Sequence, residues 1–204
     1  MIAIVDYGVG NILALANIYK RLNIPVEIAG AADDLLRAER LILPGVGAFD
    51  WAMARLNQSG MRAALDDAIL SKGKRVLGIC VGMQMLANRS EEGTLEGLGW
   101  IAGEVKKFDR AATAQRAYLP HMGWNDVEPR NQECLFRNIG PTGRFYFLHS
   151  YYFLPRDRNV ILGVTDYGGA FASCVGAGNI YGVQFHPEKS HQWGIQLLQN
   201  FAAM

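Results

Sequence analysis

The stretch Lys74–Met85, KRVLGICVGMQM, decides how the rest of the chain is read. Arg75–Ile79 is a short apolar run bounded by polar residues, the pattern of a buried strand. It passes into Gly78-Ile79-Cys80-Val81-Gly82, a G-x-C-x-G pattern, and then into the helix-compatible segment Met83–Asn88. Strand, tight turn and helix in that order form a nucleophile elbow, in which a strained turn pushes one reactive side chain out of the sheet. Glycines flank the cysteine because a side chain would clash with such a turn. Amides at the start of the following helix favour thiolate over thiol. The same five residues also fit a buried cysteine in a glycine-bearing turn. The reading therefore depends on whether the chain supplies a base, a carboxylate and an anion cradle.

Working outward, strand alternates with helix over the first ninety residues. Met1–Asp6 is a strand, and Ile12, Leu15, Ile18, Tyr19 and Leu22 recur at helical spacing. Val26–Ala29 is a second strand, and a helix capped by Asp33 or Asp34 reaches Ala38. Leu41–Leu43 is a third strand, Phe49–Leu56 and Met61–Leu70 are helices, and the elbow strand is fourth. This alternation calls for βαβ units and a parallel sheet covered on both faces. Helical periodicity then fades. Trp100–Phe108, Phe145–Phe153, Val160–Thr165, Phe171–Val175 and Ile180–Phe185 read as strands, with Asp109–Arg116 as an exposed loop. Ser190–Phe201 closes the chain as a helix with Trp193, Leu197 and Phe201 on one face. One domain, residues 1–204, accounts for the whole.

Of 204 residues, half are apolar and 19% charged, enough for a sizeable core. A net charge of +1, without Lys/Arg runs or basic-aromatic alternation, argues against a nucleic-acid partner. MIAIVDYG is too short for a signal peptide and carries no basic residues, and no stretch has the length of a membrane span. Three cysteines without tight spacing suit a reducing cytoplasm.

The base and carboxylate come from Gly182–Ser190, GVQFHPEKS. A strand ends there and sets His186 at its carboxyl edge, where open α/β sheets hold their active sites. Glu188 is two residues on, so an extended backbone would point both side chains the same way. A carboxylate beside an imidazole fixes its tautomer and stabilises its protonated form. Leu43–Phe49, LPGVGAF, offers the anion cradle, because a Pro-Gly-x-Gly strand exit leaves amides uncrowded. Neither G-x-G-x-x-G nor a lysine-bearing phosphate loop is present.

Taken in order, DYGVGN, PGVGAF, GICVGMQML, PHMGWN, YFLHSYY and GVQFHPEKS resemble the class I (triad-type) glutamine amidotransferases. Within that family the chain is most similar to the glutaminase subunits of imidazole glycerol phosphate synthases, and the resemblance spans essentially all of it. Val81 departs from the leucine usual after the cysteine but keeps an apolar side chain. The resemblance implies a flavodoxin-like α/β fold, a mostly parallel sheet covered by helices, with an added run of strands in the second half. It implies Cys80 as nucleophile, His186 as general acid–base and Glu188 as its orienter. The amides of Val46 or Gly47 and of Val81 would hold the oxyanion, and Gln84, Ser150 and Tyr151 would contact L-glutamine. The family passes ammonia to a (β/α)8-barrel synthase, and Asn11, Trp124, Tyr146 and Lys189 match positions at or near that interface. A subunit of this kind is expected to be nearly idle alone, with the Gly45–Gly47 peptides reorienting before the oxyanion site forms.

The remaining candidates read as structural. His121 and His149 sit in motifs of the resemblance but read as structural, His191 belongs to the start of the last helix, and Cys134 and Cys174, with no base nearby in sequence, read as ordinary small hydrophobes. Four scattered histidines without H-E-x-x-H or C-x-x-C give no metal site, and no cofactor is implied. Two alternatives stay open at this point. One is a paralogous glutaminase feeding the amidation of a surface-polysaccharide sugar, which HSYYF and HPEKSHQWGIQLLQNF also suit. The other is a catalytically idle scaffold that only binds a barrel.

Overall fold

The computed structural model describes residues 1–109, 118–130 and 132–204. In chain order its strands are β1 (Ile2–Val5), β2 (Val26–Ala29), β3 (Arg40–Leu43), β4 (Arg75–Ile79), β5 (Arg89–Ser90), β6 (Gly103–Lys107), β7 (His121–Pro129), β8 (Gly143–His149), β9 (Tyr151–Pro155), β10 (Ile161–Asp166), β11 (Ala170–Ala177) and β12 (Ile180–Val183). Its helices are α1 (Ile12–Arg21), α2 (Asp34–Arg37), α3 (Phe49–Gln58), α4 (Arg62–Asp66), α5 (Val81–Gln84) and α6 (His191–Ala203).

One large sheet has the order β2-β1-β3-β4-β12-β11-β10-β7-β8. From β2 to β12 the neighbours are parallel, and from β12 to β8 they are antiparallel. The parallel half has the 2-1-3-4-5 order of flavodoxin-like sheets, with β12 as the fifth strand. Its strands β1 and, past the exposed Arg75, β4 are apolar and buried on both faces, as helix-covered strands must be. The antiparallel half alternates. On β8, Phe145 and Phe147 point inward while Arg144 and Leu148 face out. Strands β5, β6 and β9 form a second, small sheet.

Helix α6 lays Leu197, Leu198 and Phe201 on the core, and its Asn200 is the polar exception. The Asn200 Nδ2 donates to the carbonyls of Leu135 at 2.8 Å and Arg137 at 2.7 Å, tying the helix to the turn after β7.

Four segments differ from the sequence expectation. Phe145–Phe153 is two strands, because the chain breaks at Ser150 and β9 leaves the large sheet for the small one. Strand β7 carries no apolar-in, polar-out signature, because Met122 and Trp124 face out while His121 is buried. The helix begun at Arg62 widens after Asp66 into a turn in which Lys72 N–H bonds to Asp67 O, keeping Ala68 and Ile69 both buried. The helix expected over Met83–Asn88 starts earlier and stops at Gln84, where the chain turns toward β5. Residues 110–116 of the expected loop lie outside the described residues. No helix among the described residues is long and apolar enough to cross a membrane.

Replacing Asn200 with Ala strands the buried Leu135 carbonyl, which costs about 1–3 kcal/mol to leave unpaired, and frees the more accessible Arg137 carbonyl to water. The urea midpoint of Asn200→Ala should therefore fall at unchanged m-value. An unaltered midpoint would show that the α6 tether does not stabilise the fold.

Candidate active site

Strand β4 pairs in parallel with β12, Ile79 opposite Val183, and Cys80 N–H continues the ladder to Val183 O at 2.8 Å. That register sets the ends of both strands side by side at the carboxyl edge of the sheet. Cys80 takes φ 55° and ψ −113°, a conformation that costs a non-glycine residue about 1–3 kcal/mol. The surrounding backbones pack too closely for side chains. A Cβ on Gly78 would meet Gly82 O at 2.6 Å, one on Gly82 would meet Leu43 O at 2.0 Å, and one on Gly45 would meet Gly82 N at 2.3 Å. The elbow and the strand exit at Pro44–Gly47 thus form one unit built on glycine.

Past Val183 the strand ends sooner than expected, and His186 is anchored by its own N–H to Tyr146 O at 2.9 Å. Ser190 reinforces this by donating to His186 O at 2.6 Å and accepting from Tyr146 N–H at 3.0 Å. Glu188 reaches the imidazole through a 3-10 turn over Pro187–Lys189, not along an extended strand as the two-residue spacing suggested. Its Oε1 lies 2.9 Å from His186 Nδ1, with both side chains nearly inaccessible. Glu188 Oε2 is buried without a partner among the described residues, so the imidazole is what offsets the burial of this carboxylate.

With Nδ1 committed to Glu188, Nε2 is the nitrogen left for Cys80, which lines the same cavity. Burial by itself lowers the imidazole's proton affinity. The hydrogen bonds to Cys80 and Glu188, with their charges, outweigh it and push the His186 pKa up to about 10. The arrangement favours an imidazolium facing a sulfur, with a carboxylate behind it.

Cys80 and His186 open on a cavity of about 350 Å³ whose walls include Val46, Gly47, Val81, Gln84, Ser150, Tyr151 and Lys189. The candidate oxyanion and glutamine-contacting residues therefore all meet at one cavity with the cysteine and histidine. The amide of Val81 opens α5 and has no acceptor within it. Helix α5 is only four residues long, so it supplies no extended helix dipole to the sulfur. Trp124, Tyr146 and Lys189 cluster nearby: Trp124 meets Tyr146 edge-on at 6.2 Å, and Lys189 Nζ lies 5.7 Å from the Tyr146 ring centre. Asn11 begins α1, which packs against the Pro187–Lys189 turn.

Three features of the site escaped the sequence reading. Gln184 sits inside the GVQFHPEKS motif yet gave no sign of touching the nucleophile, and its Nε2 lies 3.8 Å from Cys80 Sγ. Glu92 lines the cavity and accepts from Phe49 N–H at 2.9 Å, at the start of α3. His149, read as structural, also lines the cavity while bonding to His121 at 3.0 Å and to Tyr151 O at 2.8 Å. Of the two cysteines read as small hydrophobes, Cys174 is buried and Cys134 is exposed, held at φ 49° in a turn.

A strained cysteine on an elbow, an imidazole beside it and a carboxylate behind that define a thiol hydrolase or acyl-transfer class of site. The family description "Glutamine amidotransferase class-I" matches residues 3–204, and the chain belongs to that family. It is 54% identical over 202 residues to the imidazole glycerol phosphate synthase subunit HisH of Bdellovibrio bacteriovorus, covering 99% of each chain. Against the subunit of the same name from Leptospira interrogans the identity is 48% over 204 residues, with both chains fully covered. Among solved structures, a chain of PurLQS from Thermotoga maritima superposes with a TM-score of 0.74 at 19% identity, over 98% of this chain and 96% of that one. That last likeness shows the shared fold.

Burial holds His121 and His149 neutral, lowering their pKa values to about 4 and about 3. An unfolded histidine titrates near 6.5, so below that value the unfolded chain binds more protons than the folded one. The stability these two residues contribute is whole above pH 6.5 and is lost as pH falls toward 4 and then 3. Urea midpoints measured from pH 7 to 4 should decline, and His149→Asn should flatten that decline. Equal slopes for both proteins would remove the buried pair as its source.

Proposed function

We propose that this chain is the glutaminase subunit of a cytoplasmic imidazole glycerol phosphate synthase, hydrolysing L-glutamine and passing the ammonia to a (β/α)8-barrel partner in histidine biosynthesis. The observation that carries the reading is that Cys80 and His186 line one cavity, with Glu188 2.9 Å behind the imidazole. Full-length relatives named as HisH subunits support the choice of pathway and partner.

In this reading the Cys80 thiolate attacks the side-chain amide carbon of glutamine, forming a C–S bond and a tetrahedral oxyanion. The amides of Val81 and of Val46 or Gly47 stabilise that charge, each donor contributing about 3 kcal/mol. His186 gives its proton to the departing nitrogen as the C–N bond breaks, releasing ammonia and leaving a glutamyl thioester. It then takes a proton from water, which cleaves the thioester to glutamate and restores the thiolate. Gln84, Ser150 and Tyr151 hold the amino-acid end of the substrate.

Ammonia released to neutral water is protonated and stops being a nucleophile, so an enclosed transfer to a partner follows from the chemistry. The cluster of Trp124, Tyr146 and Lys189, with Asn11 beside it, is the face assigned to that heterodimer contact. Aromatic residues and a cation grouped at a partly exposed patch suit an interface centre.

Ammonia release from glutamine, measured with and without the barrel synthase and its nucleotide substrate, tests the reading. Turnover should rise strongly with both present. Cys80→Ala should abolish it, His186→Ala should reduce it by about 10²–10⁴-fold, and Glu188→Gln should reduce it less. Full turnover by the isolated chain, unaffected by the partner, would contradict a coupled subunit.

A further inference from the structure

Gln184 is fully buried, and its side chain is the only amide among the described residues with a hydrogen bond to the sulfur of Cys80. At 3.8 Å the larger sulfur still accepts from an N–H. Which end of the amide faces the sulfur follows from its neighbours. The carbonyl of Tyr151 can only accept, and Gln84 lies 3.0 Å from it through Nε2, so that end of Gln84 must be the donor. The same Nε2 lies 3.0 Å from the Gln184 amide. The Gln184 atom it meets is then the oxygen, and the Gln184 NH₂ is left to point at Cys80. A second constraint fixes the start of the chain. His149 Nδ1 donates to Tyr151 O, and His121 Nδ1, 3.0 Å from His149 Nε2, donates to that nitrogen. His121 Nε2 in turn faces the Asn125 amide at 3.3 Å. Every member of the chain has one consistent donor direction.

We propose that Gln184 is a positioning residue whose Nε2–H donates to Cys80 Sγ and favours the thiolate, and that the Tyr151 carbonyl, acting through Gln84, is what aims it. This rests on Cys80 being the nucleophile. A donor to sulfur matters here because the other neutral neighbour, the Leu148 carbonyl at 3.9 Å, is an acceptor that favours the protonated thiol. Gln184 and Leu148 therefore pull the sulfur in opposite directions. The arrangement also joins the state of the nucleophile to the Ser150–Tyr151 segment where β8 gives way to β9. A shift of that peptide would release Gln84 and let the Gln184 amide turn.

The charged and titratable groups around the sulfur are His186 with Glu188 behind it, His149 and Lys189 on the cavity wall, Glu92 on the same wall, and Tyr7, whose hydroxyl donates to Pro44 O at 2.5 Å. None of them changes when Gln184 is replaced, so a shift in the sulfur's titration reports on the amide.

The test is the pH dependence of iodoacetamide alkylation in a Cys134→Ser background, which removes the exposed competing thiol, with the modified residue located by peptide mass. Gln184→Met keeps the volume and removes the donor. Its apparent thiol pKa should rise by about one unit, so that alkylation slows about tenfold on the acid side of the profile. Gln184→Glu, which turns an acceptor toward sulfur, should raise it further. Gln84→Met frees the Gln184 amide to turn and should shift the profile in the same direction; it also serves if the Gln184 variants do not fold. A Gln184→Met profile superimposable on the parent, or an unmoved Gln84→Met, overturns the proposal. Labelling of the parent at Cys174 instead of Cys80 would overturn the nucleophile assignment beneath it.

Discussion

Parallel pairing of β4 with β12 is the constraint on which the rest of this molecule depends. The two strands come from distant parts of the chain, yet Ile79 lies opposite Val183 and the ladder runs on through Cys80 N–H to Val183 O. A slip of one residue would turn the side chains of β12 to the other face and carry His186 away from the sulfur. The register sets Gly182 opposite Gly78, where a Cβ would meet Met83 Cγ at 2.7 Å and Gly82 O at 2.6 Å, so a slip would drive side chains into the elbow. Reaching that position requires an antiparallel excursion through β7, β8, β10 and β11, and the excursion has its own use. Strand β8 supplies the Tyr146 backbone that grips His186 and, past its end, the Ser150–Tyr151 wall of the cavity.

Strain and close approach are concentrated at the same place. Cys80 holds a positive φ, and three glycines around it sit where a Cβ would meet backbone at 2.0–2.6 Å. Such strain persists only where the surroundings over-determine it. Here the ladder bond before Cys80 and the α5 turn after it do so. Burial then sets the charges. His186 is raised to about 10 by partners that outweigh its desolvation, while burial pushes His121 and His149 down, aided at His149 by the charges of the other two histidines. Within one region, the same residue type is held in opposite protonation states by what stands next to it.

Much of this was legible in the chain itself. The alternation of apolar runs and helical periodicity before residue 90 marked four of the five strands of the parallel half, because strands covered on both faces leave a mostly apolar signature. The G-x-C-x-G elbow was readable for a steric reason, since the glycines mark where backbones touch. What could not be read was contact between segments without a local period. Strand β7 buries His121 and exposes Met122 and Trp124, inverting the usual signature, and the Ser150 break between two sheets looks like continuous strand in one dimension. Glu188 illustrates the limit well: its pairing with His186 was anticipated, but through an extended backbone, whereas a 3-10 turn makes it. Gln184 was invisible as a site residue because its partners, Gln84 and Cys80, are about a hundred positions away.

The central claim is that sulfur, imidazole and carboxylate act together on a glutamyl carbon. A chloroketone analogue of glutamine, incubated with the chain in the presence of its barrel partner and followed by peptide mass analysis, tests it most directly. The account predicts one adduct, on Cys80, formed much more slowly in His186→Ala and suppressed by glutamine. Modification of Cys134 or Cys174 in its place, or an adduct on Cys80 indifferent to both His186 and glutamine, would contradict it.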